Sequence, residues 1–386
     1  MMEIGLLATN PQYFSKILNW KNINYEFVGN LYKIDGFKNY NNLLDINSVF
    51  STYPFGEIID RTKSTNMPFK YKVLRDWKIP TSCLSFEDLM YNQVMWHVCS
   101  NKKINLCWSG GIDSTTMLVA FIKHAPDLSQ LRVIYSPFSV YENQKFLEML
   151  HKNYPQVETL DISGTIYLDT NFDGIFINGH GGDEFAGSLD DSFYDRLGGN
   201  GLYRSWKDYF QEQGKTELIE FCENNFAKSG KQIETVLDAR WWFYASNKSQ
   251  VFQISDNIFL TNQQNVKVED TIAFYDNYDF ESFMYFNPQL IIEDRHNYKT
   301  HKNFMKKYIF DFDKNEDYFI NKSKSNSLQF AWYTIKKTYM LDMRWIARLA
   351  DSSIIKTPNL PFFSKKEFDR IYSNSLDYLF NEPDHV

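Results

Sequence analysis

Serines, glycines and one carboxylate are concentrated in Ser109-Gly110-Gly111-Ile112-Asp113-Ser114, a combination suited to holding phosphate. Adjacent glycines let a main chain bend and approach a ligand closely, and the first N–H groups of a following helix favour an anion. Ser109 and Ser114 add hydroxyl donors. Asp113 repels a bare phosphate, so its place inside the loop calls for a bridging cation such as Mg²⁺. The same residues also suit a plain tight turn, with Asp113 and Ser114 capping a helix. No Gly-Lys-Ser/Thr follows, as a Walker loop requires, and the G-x-G-x-x-G dinucleotide spacing is missing. Glycines and acid recur in Gly179-His180-Gly181-Gly182-Asp183-Glu184-Phe185-Ala186-Gly187, where the competing reading is a glycine-rich surface turn.

The elements around these loops point to one crevice. Ile104 to Trp108 and Asp173 to Asn178 read as buried strands that run straight into the two loops, and Thr115 to Ile122 reads as a buried helix. In an open parallel sheet, ligands sit beyond the carboxyl ends of the strands, so both loops can face the same ligand. Leu131 to Tyr135 reads as a further strand and Tyr141 to Tyr154 as a further helix. This alternation predicts an α/β fold, a parallel sheet with helices on both faces. Phe86, Leu89, Met90, Val94 and Val98 recur at helical spacing, which places a domain boundary near residue 85. Beyond about residue 200 the pattern is mostly helical and rich in Trp, Tyr and Phe, as in Arg240-Trp241-Trp242-Phe243-Tyr244.

The first loop resembles the S-G-G-x-D-S pyrophosphate loop of the ATP pyrophosphatases. That family holds the asparagine, GMP, NAD and argininosuccinate synthetases and several tRNA-modifying enzymes. The resemblance implies cleavage of ATP between its α- and β-phosphates, with AMP passing to the substrate and pyrophosphate staying in the loop. The second cluster is similar to the G-E-G-S-D-E-x-x-G-G signature of the asparagine synthetase and β-lactam synthetase branch. Downstream, Tyr244 to Gln250 is similar to R-x-N-K-x-M and Thr271 to Asp279 to R-x-P-F-L-D, each without its arginine. Tyr318 to Ser325 stands where the family has R-x-K.

On this resemblance the fold is adenine nucleotide alpha-hydrolase-like, and ATP and Mg²⁺ are the expected cofactors. Ser109, Gly110, Gly111, Asp113, Ser114, Gly181 and Gly182 are expected to hold the nucleotide. Ile134 and Tyr135 offer main-chain groups to adenine, and Asp113 and Asp183 share the metal. Lys324 takes the position of the lysine that steadies the acyl-adenylate, a sensible place for positive charge; an ordinary solvated lysine is the alternative, and Lys322 lies two residues away. His180 replaces a glutamate or tyrosine of the relatives near the attacking nitrogen. With an unperturbed pKa of about 6.5, an imidazole can take a proton from an amine, so His180 is the candidate general base, or else it only bonds its own loop.

The expected partners are a small-molecule or peptide carboxylate and an amine or ammonia. Asparagine, a lactam or macrolactam, and an amidated larger acceptor all remain open as products. A tRNA- or nucleobase-modifying enzyme and an inactive nucleotide-binding relative are the rival classes. Glutamine-dependent asparagine synthetases use a cysteine directly after the initiator methionine, whereas this chain has Met2, and a thioether forms no thioester. Residues 1–85 are therefore expected to be a small β-rich domain, either a reduced glutaminase relic or an unrelated cover. Its strand-like pieces are Tyr25 to Val28 and Leu31 to Ile34. On the resemblance, residues 86–386 are expected to form the synthetase-like domain.

Composition bounds the rest. The 386 residues, 43% of them hydrophobic, suffice for a sizeable core in about two domains. A net charge of −7 supplies no global basic field for nucleic acid or membrane. The most basic stretch, Lys299 to Lys307, reads as a solvated helix face. Cys83, Cys99, Cys107 and Cys222 form no C-x-x-C pair, which predicts reduced structural thiols and disfavours tRNA thiolation. Neither a basic secretory lead nor a long apolar run is seen, so the cytoplasm is the expected compartment.

Overall fold

The computed structural model describes residues 25–28, 31–34, 37–50, 58, 60–66, 75–99, 102–135, 137–161, 173–186, 193, 197–249, 271–291 and 300–322. In chain order these form β1 (Tyr25–Val28), β2 (Leu31–Ile34), α1 (Lys38–Phe50), α2 (Phe86–Val98), β3 (Ile104–Cys107), α3 (Ile112–His124) and β4 (Leu131–Tyr135). There follow α4 (Pro137–Asn153), β5 (Glu158–Asp161), β6 (Ile175–Asn178), α5 (Gly182–Phe185), α6 (Trp206–Glu212), α7 (Ile219–Phe226) and α8 (Val236–Asn247). The last are β7 (Thr271–Ala273), α9 (Tyr278–Phe286), α10 (Asn303–Asp313) and α11 (Glu316–Asn321).

Strands β3 to β7 form one parallel sheet in the order β5-β4-β3-β6-β7. Ile104, Asn105 and Leu106 are all buried, and so are Ile175, Phe176 and Ile177. Successive strand residues point to opposite faces, so both faces of the two central strands are covered. Asn105 is tolerated there because its amide donates to the carbonyls of Asp173 (3.0 Å) and Ile175 (3.2 Å). The order reverses at β3: the chain moves outward to β4 and β5, then returns to β6 on the other side. That reversal is the switch point at which open α/β sheets bind ligands.

The predicted hairpin forms, with Tyr25 opposite Ile34. Helix α2 starts at Ser85, whose hydroxyl accepts the Asp88 N–H at 3.1 Å, and it buries Leu89, Met90, Val94 and Val98 as their spacing predicts. The helix predicted over 141–154 runs from Pro137 to Asn153, and Asn143 (φ −155°, ψ 65°) breaks it in two. The Asn143 side chain accepts the Phe146 N–H at 3.3 Å and so caps the second half, the half whose apolar spacing is legible. Residues before and after 85 share one core. The Phe50 ring meets Phe210 at 5.4 Å and Phe243 at 6.0 Å, and the Tyr209 hydroxyl donates to the Val49 carbonyl. The aromatic helices past residue 200 are mainly core, with Trp242 donating to Asn225 at 2.8 Å. All four cysteines are free thiols. No helix among the described residues is long and apolar enough to cross a membrane.

Buried His97 makes this core sensitive to acid. Its ring lies against Phe121 and meets the Gln93 amide at 3.1 Å, and burial pushes its pKa from 6.5 down to about 4. The unfolded chain then binds the extra proton first, so the contribution is whole above pH 6.5 and drains away as pH falls toward 4. The full loss is on the order of 3 kcal/mol. In urea unfolding at pH 7 and pH 4.5, His97→Gln should lose less stability on acidification than the unsubstituted protein.

Candidate active site

Because Cys107 pairs with Asn178 at the carboxyl ends of β3 and β6, the two glycine loops leave the sheet side by side. They then touch. A Cβ on Gly182 would lie 2.6 Å from Asp113 Cγ, and one on Gly179 would lie 2.8 Å from the Ser114 nitrogen, so both approaches require glycine. Gly110 makes the turn with φ +76°, and a Cβ there would meet the Ser139 carbonyl oxygen at 2.3 Å.

The first loop is braced from below. Ser109 and Ser114 exchange hydrogen bonds within it: the Ser109 N–H donates to Ser114 Oγ at 3.1 Å, and the two hydroxyls lie 2.9 Å apart. The Tyr275 hydroxyl donates to the Asp113 carbonyl at 2.7 Å, and the Tyr318 hydroxyl to the Gly110 carbonyl at 3.1 Å. Burial raises both phenols well above their ordinary range, so they remain neutral donors. Asp113 and Ser114 do not cap the helix in the sense of the simple-turn reading. The cap position is Gly111, which offers no side chain, and the Asp113 carboxylate points elsewhere.

It points to Lys302. The ammonium lies 2.6 Å from each oxygen of Asp113 and also contacts the carboxylate of Asp183. Asp113 and Asp183, expected to share a metal, are thus brought together on a lysine from the start of α10. This overturns the solvated-face reading of the basic stretch: Lys302 is 2% exposed and Lys306 0%, while Lys307 does face solvent. The physical reason is that α10 lies along α3, and Lys302 and Lys306 fall on the same face as Met305 and Ile309. That periodicity was the available signal. Among the described residues, no group of three or more His, Cys, Asp or Glu side chains is placed to hold a metal.

A second buried lysine borders the loop. Lys322, 7% exposed at the end of α11, pairs with Glu142 of α4, and the Lys306 ammonium donates to the Lys322 carbonyl at 2.8 Å. Glu142 adjoins Gly110, where an added Cβ would lie 2.6 Å from its own Cβ. Burial pulls the Lys322 pKa from 10.5 down to about 8, and the touching carboxylate opposes that pull. Lys324 lies outside the described residues, as does Gly187.

His180 is exposed at the rim, and its N–H is received by the Asn178 side chain at 3.0 Å. Gly181 (φ +87°) rests on Tyr275. Ile134 and Tyr135 end β4 beside the first loop, and the Ile134 carbonyl accepts the Trp108 N–H at 2.9 Å.

Behind the second loop lies a buried charge network that the sequence did not reveal. Arg61 donates to both oxygens of Glu281 (2.5 and 3.0 Å), to the Ala245 carbonyl (2.7 Å) and to Ser249 Oγ (2.9 Å). Arg75 bonds Glu281 at 2.6 Å and Asp276 at 2.7 Å. Burial pushes the Asp276 carboxyl up, and Arg75 holds against it. The segments around Ala245 and Asp276 thus receive arginines from the N-terminal part of the chain.

No protein-family model matches the chain, and no curated protein matches it significantly. The geometry therefore carries the functional reading.

Proposed function

We propose that the protein is an ATP-dependent, AMP-forming ligase that adenylates a carboxylate and joins it to ammonia or an amine, on an adenine nucleotide alpha-hydrolase-like fold. The observation that carries this reading is the convergence of two glycine loops at the switch point, with Asp113 and Asp183 on a single cation. A pair of converging carboxylates suits Mg²⁺, which is usually held by one or two carboxylates and completed by substrate phosphates and water. Asp113 and Asp183 would hold it, and it would neutralise charge on the phosphates.

The chain's own groups divide the remaining work. The N–H groups that open α3 and the hydroxyls of Ser109 and Ser114 bind the leaving pyrophosphate. The floor made by Tyr275 and Tyr318 keeps that cradle rigid, which lets it act on developing charge without reorganising. Ile134 and Tyr135 meet the adenine. Lys322, held beside Gly110 by Glu142, takes the role expected of Lys324 and steadies negative charge on the adenylate and at the reacting carbonyl. His180, at the open rim, takes the proton of the attacking amine.

The deciding experiment supplies ATP, Mg²⁺ and a pool of acids and amines, follows pyrophosphate and identifies products by mass spectrometry. Absence of both nucleotide binding and pyrophosphate release would end the ligase reading. His180→Ala should leave pyrophosphate exchange intact while amide formation stops; loss of both removes His180 as the base. Lys322 acts only while protonated, so the rate should fall on the alkaline side with a midpoint at about 8. Lys322→Arg should move that limb to higher pH, and an unmoved limb assigns it to another group.

A further inference from the structure

Lys302 stands at an end of a helix that disfavours it. It is the N-cap residue of α10, and helix N-termini attract anions and repel cations. What keeps a buried ammonium there is the pair of carboxylates, both oxygens of Asp113 at 2.6 Å and the adjoining Asp183. The ammonium therefore sits where a metal shared by the two acids would have to sit.

We propose that Lys302 makes the Asp113–Asp183 pair a receptor for a divalent cation that arrives with phosphate, and closes it to the free cation. The inference rests on the reading of this site as one for a metal–nucleotide complex. A free cation faces two obstacles. It would leave a 2% exposed ammonium without its carboxylates, an arrangement that buried ion pairs strongly resist. It would also find, among the described residues, no cluster of three or more His, Cys, Asp or Glu side chains to replace its water, which Mg²⁺ gives up reluctantly. A polyphosphate removes both obstacles. Its oxygens complete the metal's ligand set and offer the displaced ammonium a new anion, at a helix end that favours anions. The exchange then leaves no charge unpaired, and by linkage metal and polyphosphate strengthen each other's binding equally.

The test uses the full chain and Mn²⁺ as a paramagnetic stand-in. Bound Mn²⁺ is counted by electron paramagnetic resonance with and without inorganic pyrophosphate, corrected for the Mn²⁺–pyrophosphate complex formed in solution. The unsubstituted protein should bind Mn²⁺ about 10-fold or more tightly when pyrophosphate is present. In Lys302→Met, Mn²⁺ alone should bind more tightly than it does to the unsubstituted protein, and the gain made by pyrophosphate should shrink, because one of the two obstacles is gone. Circular dichroism reports whether this variant folds; Lys302→Gln, neutral but still able to donate a hydrogen bond to a carboxylate, replaces it otherwise. Equal Mn²⁺ affinity with and without pyrophosphate in the unsubstituted protein overturns the role of Lys302 and leaves the metal reading standing. A variant that gains nothing for Mn²⁺ alone overturns it too. No Mn²⁺ bound by either protein under any condition sinks both readings together.

Discussion

Asp183→Asn should lower pyrophosphate release from ATP by about 100-fold or more with the fold intact, because it removes a carboxylate from the metal–phosphate site and keeps its shape. The side chain is 26% exposed and its amide replacement has nearly the same volume. Lys302 keeps its contacts to both oxygens of Asp113, so its buried charge is not abandoned. Asp113→Asn is the harsher change for the fold, since it takes the charge from the acid that binds the lysine with both oxygens. For Asp183→Asn the urea midpoint should stay close to that of the unsubstituted protein while the rate collapses. An unchanged rate would remove Asp183 from the chemistry and with it the shared-cation reading.

The largest effect on stability is expected at Arg61, far from the loops in sequence. Arg61→Leu should cost about 3 kcal/mol in urea unfolding, near the lower end for breaking a buried ion pair. The side chain is fully buried and donates to Glu281, Ala245 and Ser249. Glu281 keeps Arg75 at 2.6 Å after the substitution, and that moderates the loss. Arg75 also bonds the main chain and side chain of Asp276, the residue after the Tyr275 that supports Gly181 and the Asp113 carbonyl. Loosening the network should therefore weaken the second loop. A loss below about 1 kcal/mol, the range of a surface pair, would show that Arg61 contributes little.

The amino-acid sequence determined the central strands and the glycine loops. Runs such as Ile104 to Cys107 and Leu131 to Tyr135 are continuous in sequence and largely apolar, and they appear as parallel strands at those positions. The turn at Gly110 is equally local, because φ +76° disfavours a Cβ whatever surrounds it. Periodicity likewise placed Leu89, Val94 and Val98 inside. Which charges meet was a different matter. The tertiary structure alone decided that Lys302 reaches Asp113 and Asp183, that Lys322 is buried against Glu142, and that Arg61 and Arg75 close the network on Glu281. Backbone propensity and apolar spacing act over a few residues and can be read along the chain. The fate of a long charged side chain depends on whether a distant element arrives with an opposite charge before water is excluded, and only the packed fold determines that.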